Sequence, residues 1–477
     1  GDIKAAIASY KKALKLNPNS SQAHSNLGNA FKEQGDINSA IASCQKALKL
    51  NRNFPQAHNN LGISLQEQGD INSAIASYEE AIKLNPNYQE AYYNLGVAYQ
   101  KNGELQKAIS SYKKAIKLNP KCLDAHNNLG IALQECGEIN AAISSFDKGL
   151  KLNSSLPELR MNISLVQLLS GDYKSGLTNY EWRWKQENPP SVHGKPSIPR
   201  REEGEIKDGE KILVISEQGM GDVMLHMRYL LPLKEKDIDL SFCAPEKLHN
   251  LIKASNIDLN PLSPKSSSLV TEGKWIPLIS LLKHFSVGPL NPLINSQYIF
   301  STKPLIKKWN SILANEKKPV IGINWQGSPG IEKTTYKGRS LPLEIFSKIL
   351  DDNDVSFLSL QKGFGAEQLD KCSFRNKFVN CQNKVNEIWD FMEIAAIIEN
   401  CSLIITCDTS VAHLAGGMGK KVWLLLKDIP YWFWGLESEE TFWYPSMKLF
   451  RQKEKGNWPE VIESVSFELR KSLLING

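Results

Sequence analysis

The sequence predicts an all-α superhelix followed by an α/β domain of parallel strands. Two observations carry this. Gly35, Gly69, Gly103, Gly137 and Gly171 lie 34 residues apart (69 − 35 = 34), and a fixed period of that length marks stacked helical units. Beyond about residue 205, short apolar runs such as Lys211–Ile215 and Leu403–Thr406 end in polar or glycine-rich turns and lead into helical patterns. Runs this short and this apolar read as buried parallel strands of βαβ units.

The helical part comes first. Ala23, Ala57, Ala91 and Ala125 share the glycine period, as do Ala40, Ala74, Ala108 and Ala142. Asn17-Pro18, Asn85-Pro86 and Asn119-Pro120 close some of the units. Small residues where two amphipathic helices meet, with a glycine at the turn between them, are the tetratricopeptide pattern. The count is half a repeat at 1–17, four complete repeats, and a degenerate last one near 156–186. Asn26, Asn60, Asn94, Asn128 and Asn162 recur on the first helix of each pair, with His24, His58, Tyr92 and His126 two positions earlier. A ladder of carboxamides on a concave face can bind an extended peptide backbone without reading its side chains. The same asparagines can instead bond neighbouring helices. In this ladder the repeats resemble those of the protein O-linked N-acetylglucosamine transferases, which points to a protein or peptide partner.

Composition sets bounds. The chain has 477 residues, 41% hydrophobic and 23% charged, with net charge +6. That charge is too mild to demand nucleic acid, and it suits anionic substrates. Eight cysteines occur without CxxC or His-rich spacing, so a reducing, cytoplasmic compartment is expected and no metal is called for. No apolar run reaches membrane-spanning length and no signal peptide is visible, although the chain starts inside a repeat.

The repeats are expected to extend through 186. Trp182 and Trp184 in the last modified helix are expected to be packing anchors between the halves. Pro189, Pro190, Gly194, Pro196 and Pro199 break any regular pattern, so 187–204 is read as a linker. Residues 205–315 and 316–477 are read as two Rossmann-like lobes. The first is short for a full nucleotide fold, and 245–310 shows weak periodicity.

The stretch from Cys401 to Leu426 organises the second lobe. A buried strand runs into Asp408, Thr409 and Ser410, all good N-cap types, and then into a short helix ended by Gly416, Gly417 and Gly419. A helix start at the carboxyl end of a strand offers free N–H groups and a positive dipole end, suited to a phosphate or diphosphate. His413, one turn in, adds a hydrogen bond or a charge. The alternative is that Asp408 and Thr409 only cap the helix and His413 packs on the sheet. In the first lobe, Lys211–Ile215 leads into Gln218, Gly219, Gly221 and Asp222, where the glycines allow close backbone approach to a substrate. Asp222 reads otherwise as a helix N-terminal charge. In the second lobe, Val320–Trp325 is followed by Gln326-Gly327-Ser328-Pro329-Gly330, then by Lys337 and Arg339, cations suited to a diphosphate or else solvated surface charges. Gln361 ends a further strand.

Asp408-Thr409-Ser410-x-x-His413-Leu414-Ala415 with its glycine-rich turn, the run Trp443–Gln452, and Gly219-x-Gly221-Asp222-Val223 together resemble the heptosyltransferase-like glycosyltransferases, most closely the branch fused to tetratricopeptide repeats. The resemblance runs through most of the chain. It implies a two-lobed fold of the glycosyltransferase B type with a nucleotide-diphosphate sugar as donor and no cofactor or bound metal. It also implies Asp222 as general base, a phosphate contact at Arg339, and a base or ribose contact at Gln361. Gln218, Gly219, Gly221, Gln326, Lys337, Asp408, Thr409, Ser410 and His413 are counted with the donor-binding residues. Two departures stand out. The family's His and Asp after Gly-x-Pro are replaced by Gly330, Ile331 and Glu332 to Thr335, and its Trp-Arg-Trp reads Trp432-Phe433-Trp434 here. Three readings follow: a transferase acting on protein held by the repeats; an interaction scaffold with a vestigial transferase domain; and a glycan or small-acceptor transferase whose repeats mediate assembly.

Overall fold

A computed structural model describes residues 2–202, 204–317, 319–332, 338–350 and 355–476. The chain divides into two compact units, Gly1–Val166 and Gln167–Gly477.

The first unit is a tetratricopeptide superhelix. Helices Ser21–Gln34, Pro55–Gln68, Gln89–Lys101 and Leu123–Glu135 each pair with the following Ile37–Leu50, Ile71–Leu84, Leu105–Leu118 and Ile139–Leu152. Ile3–Leu16 precedes them and Pro157–Leu169 follows. The starts of Ile37–Leu50 and Ile71–Leu84 are capped by Asp36 and Asp70, whose carboxylates accept from Ser39 N and Ser73 N. At each turn the glycine is left-handed, with φ between +79° at Gly137 and +97° at Gly69, where a side chain would be strained. The helix pairs interlock through a bare position opposite a large one. A Cβ on Gly62, Gly96 or Gly130 would stand 2.6, 2.6 or 2.5 Å from the ring of Tyr78, Tyr112 or Phe146. Ala40, Ala74, Ala108 and Ala142 are wholly buried beside them.

The second unit holds two all-parallel sheets. Strands β1 (Lys211–Ile215), β2 (Asp239–Cys243) and β3 (Lys274–Pro277) form the first, in the order β2-β1-β3. Strands β4 (Val320–Asn324), β5 (Ser356–Ser359), β6 (Leu403–Cys407), β7 (Val422–Leu426) and β8 (Met447–Arg451) form the second, in the order β5-β4-β6-β7-β8. Every residue of β4, β6 and β7 is buried, as strands covered on both faces must be. Trp325, Phe346, Phe357 and Trp423 centre the core of this lobe, and the helix Trp458–Asn476 covers it through Trp458, Val461, Ile462 and Val465. In the second sheet the strand order reverses between β4 and β6, and open α/β sheets bind ligands at the carboxyl ends of such a pair.

The stretch read as a linker does not run free. His193 N donates to the Ser216 carbonyl at 2.8 Å and Arg201 N to the Trp275 carbonyl at 2.7 Å, tying it along β1 and β3. Its prolines break periodicity without breaking attachment. Trp184 packs edge-on against Trp275 at 5.8 Å, an anchor inside the C-terminal unit. After β1 the chain runs through the helix Met220–His226, a tighter turn at Met227–Leu230, and the short helix Leu231–Lys234.

Candidate functional site

The carboxyl end of β1 carries Ser216-Glu217-Gln218-Gly219. Glu217 is fully buried and meets Arg183, itself 1% exposed, through Oε1 at 3.0 Å from Nη2. The Glu217 Oε1 also accepts from Ile279 N at 3.2 Å. Arg183 reaches Glu181 at 2.6 Å, and Ser280 Oγ closes the cluster at 2.9 Å from Glu181. This network fixes the residue before Gln218, whose φ of +63° costs a non-glycine residue about 1–3 kcal/mol. Gln218 Nε2 donates to the Tyr180 hydroxyl at 2.7 Å, so its side chain is held from the same segment.

Asp222 follows in the first turn of Met220–His226. Its Oδ2 accepts from Gly219 N at 3.0 Å. Burial pushes its carboxyl up to about 7; the Gly219 hydrogen bond opposes this, and the nearby Asp408 charge adds to it. Part of the residue's surface remains exposed. His226 Nδ1 lies 2.7 Å from the Asp222 carbonyl, and burial drives its imidazole down to about 3, so it is neutral.

The facing element is the carboxyl end of β6. Asp408 is 7% exposed. Burial raises its carboxyl pKa, against the pull of Arg339, Trp434 and Lys427. Arg339 Nη1 donates to the Asp408 carbonyl at 2.9 Å, and its guanidinium lies flat over Gly327, where a Cβ would meet Nε at 2.4 Å. Thr409 occupies the N-cap position of Ser410–Gly417, yet among the described residues no side chain caps that helix. The Thr409 hydroxyl turns instead to Asn324 Oδ1 at 2.9 Å, on the neighbouring strand end. The reading in which Asp408 and Thr409 serve as caps is therefore corrected. Ala412 N donates to the Thr409 carbonyl at 3.0 Å, and among the described residues the N–H groups of Ser410 and Val411 stay uncapped at the positive end of the helix.

His413 brings a hydrogen bond and no charge. Its Nδ1 lies 3.1 Å from the Tyr444 hydroxyl and its ring stacks on Trp434 at 5.4 Å. Burial first, then Arg228 and Arg339, lower its pKa to about 3. What Gly221 admits here is this second-lobe helix: a Cβ would stand 2.8 Å from His413 Cδ2 and 3.4 Å from Ser410 Cα. Gln361 is engaged at both ends within its own lobe. Its Oε1 accepts from Asn324 Nδ2 at 2.9 Å, Trp325 N at 3.2 Å and Gln326 N at 3.0 Å. Its Nε2 donates to the carbonyls of Gln326 and Phe364 at 3.0 and 2.8 Å. Gln361 thus shapes the β4 loop in this structure. Gln326 Oε1 accepts from Gln368 at 2.8 Å. Lys337 lies outside the described residues.

Sequence reasoning missed Arg183, Glu217 and Arg228. Arg228 is buried with its Nη1 donating to the carbonyls of Ile294 at 3.0 Å and Trp443 at 2.7 Å, and its guanidinium lies over Tyr298 and Tyr444. Its neutral neighbours gave no charge pattern to find. The tryptophans flanking Arg183 were the signal available there. Phe433, where the resembling family has arginine, sits 5.5 Å from His226 and 6.0 Å from His413. Cavities of about 210 and 230 Å³ lie at β1–β2 and beside Leu230 and Lys234, and none of the residues above lines them.

In the repeats four of the five ladder asparagines bond the preceding unit. Nδ2 of Asn60, Asn94, Asn128 and Asn162 donates to Ser25 Oγ, Asn59 Oδ1, the Tyr93 hydroxyl and Asn127 Oδ1 at 2.9–3.1 Å. Asn26 Oδ1 accepts from Gln22 at 3.0 Å. Among the described residues the carboxamide oxygens of Asn60, Asn94 and Asn162 accept from no protein group, and all three residues are half-buried. His24, His58 and His126 reach back to the carbonyls of Pro18, Arg52 and Pro120 at 3.0–3.1 Å, and Arg160 does the same to Ser154 at 2.9 Å. These side chains pin the turns between units.

The first unit is thus a tetratricopeptide array by geometry. Sequence families described as TPR repeat match residues 1–35, 28–69 and 64–103, and those described as tetratricopeptide repeat match 90–122 and 123–156. Residues 1–156 are tetratricopeptide repeats. Among curated proteins the chain is similar to Protein FlbA of Caulobacter vibrioides, 22% identical over 336 residues, which is 64% of this chain and 53% of that protein. The chain thus spans about half the length of the curated relative it matches. Among solved structures it is similar to MamA, 34% identical, covering 32% of this chain and 90% of that one with a TM-score of 0.31. It is also similar to YrrB, described as a TPR protein with an unusual peptide-binding site, 20% identical, covering 37% and 89% with a TM-score of 0.32. Among the described residues no helix is long and apolar enough to cross a membrane.

Proposed function

We propose that the C-terminal unit is a glycosyltransferase using a nucleotide-diphosphate sugar, and that the repeats hold a protein or peptide, as acceptor or partner. The observation that supports this most is the pairing of Asp222, a carboxyl titrating near neutrality, with the uncapped start of Ser410–Gly417 across the two lobes. A base with a pKa near the working pH takes a proton from an acceptor hydroxyl efficiently. As the sugar's anomeric carbon leaves the diphosphate, charge grows on the phosphate oxygens. In this reading the N–H groups at the helix start and Arg339 would meet that charge. In this reading the protein's dipole and guanidinium do the neutralising. The free carboxamide oxygens of Asn60, Asn94 and Asn162 would accept from peptide N–H groups. A cytoplasmic setting accords with eight cysteines, none in a disulfide.

The test is donor turnover. Wild type is expected to release nucleoside diphosphate from at least one nucleotide sugar, and Asp222→Asn to bind that donor with little turnover. A second reading, an interaction scaffold with a vestigial transferase unit, is favoured by the stacked, neutral His413 and by the internally engaged Gln361. It predicts peptide binding that weakens in Asn60→Ala and Asn94→Ala, with no turnover of any donor.

A further inference from the structure

Trp389 is 64% exposed, an unusual surface position for the largest apolar side chain. It directly precedes Asp390, which caps Phe391–Glu399 by accepting from Glu393 N at 3.0 Å. That helix returns the chain to the start of β6, so its own start lies at the carboxyl edge of the second sheet. The segment is held from two sides. Asp390 Oδ2 accepts from Asn250 Nδ2 of the first lobe at 3.0 Å. Lys362 Nζ donates to the Val385 carbonyl at 2.5 Å, drawing this segment onto the loop after β5. A Cβ on Gly363 in that loop would lie 3.9 Å from the Trp389 ring tip.

The loop after β5 is linked to the helix start at Thr409 by a chain of hydrogen bonds. Gln361 accepts from Asn324, and Asn324 accepts from Thr409. Strand β5 neighbours β4, and β4 neighbours β6. Two strand spacings, roughly 10 Å, therefore separate the two points along the sheet edge. That separation suits the span from the diphosphate of a nucleotide to its base.

We propose that Trp389 is the stacking platform for the nucleobase of the nucleotide whose diphosphate rests at Thr409–Val411. The proposal rests on the donor reading above and adds where the base lies. An aromatic face accepts every base, so Trp389 supplies affinity, with little choice among bases.

The experiment compares affinities of the full chain for UDP, ADP and GDP with those for inorganic pyrophosphate. Trp389→Ala is expected to weaken the best nucleoside diphosphate roughly five- to hundredfold and leave pyrophosphate unchanged. Trp389→Phe should retain affinity to within about threefold, since a smaller ring still stacks. Phe467→Ala, which removes another exposed aromatic (65%), should change neither. Wild-type affinity for nucleotide in Trp389→Ala would overturn the platform while leaving the donor reading intact. So would a wild type that binds pyrophosphate as tightly as any nucleotide. A wild type that binds neither would sink both.

Discussion

Gly221 and His413 are in contact across the two lobes, with room for a hydrogen and none for a methyl: a Cβ would stand 2.8 Å from the imidazole Cδ2. The imidazole cannot retreat, because Trp434 stacks on it and Tyr444 bonds it. Gly221→Ala gains up to about 1 kcal/mol of helix propensity. Forcing an extra carbon into a packed site costs about 1–3 kcal/mol. The net expectation is a lower melting temperature for the C-terminal unit, read by thermal unfolding.

Tyr112 and Gly96 make the corresponding contact in the repeats, at 2.6 Å from Cε1 to an added Cβ. Gly96→Ala is expected to cost about 1–3 kcal/mol by overpacking. Tyr112→Ala should cost about 3–5 kcal/mol, the range for emptying an aromatic site. Repeat arrays are stabilised by nearest neighbours. Hydrogen exchange should therefore show protection lost first in Gln89–Lys101 and Leu105–Leu118, with the distant repeats less affected.

How much of this could be read beforehand varies with the physics. The 34-residue glycine register could be, because one packing solution recurs and each turn needs its left-handed residue. Strands β1 and β6 fall on the runs expected, since a strand buried on both faces is written as an apolar block. The strands β3 and β8 carry Lys274 and Lys448, which disguised them. The Arg183–Glu217 pair was illegible because charge reads as surface until a partner 34 residues away is brought to it. The ladder asparagines were legible as a pattern. Their partners on the preceding helix were not, because that register depends on how the helices stack.

Removing Arg183 would strand two carboxylates, Glu217 in full burial and Glu181 beside it. Arg183→Ala is expected to destabilise the C-terminal unit by about 3–5 kcal/mol, the range for breaking a buried pair from one side. Glu217→Gln keeps hydrogen-bonding capacity and should cost less. Chemical denaturation of both variants checks the order.

Asp222 gives the stability a pH signature. Its carboxyl holds a proton to about 7 when folded, against 3.8 as the ordinary value. Between those pH values the folded state binds more protons than the unfolded one. The contribution is therefore full below about pH 4, falls as pH rises towards 7, and is level above it. Asp222→Asn removes that fall, so the variant should gain on wild type between pH 4 and pH 8 in denaturant melts. In the catalytic reading, donor turnover should rise through pH 7 as the base ionises.

The most direct measurement is the melting temperature of the full chain with UDP, ADP and GDP, each at increasing concentration. The donor reading predicts that at least one raises it, by about 2.7 kcal/mol of added stability at a hundred times its Kd. The gain should shrink in Arg339→Ala and in Thr409→Ala. No shift with any of the three, at concentrations where unrelated nucleotide-binding proteins respond, would contradict it.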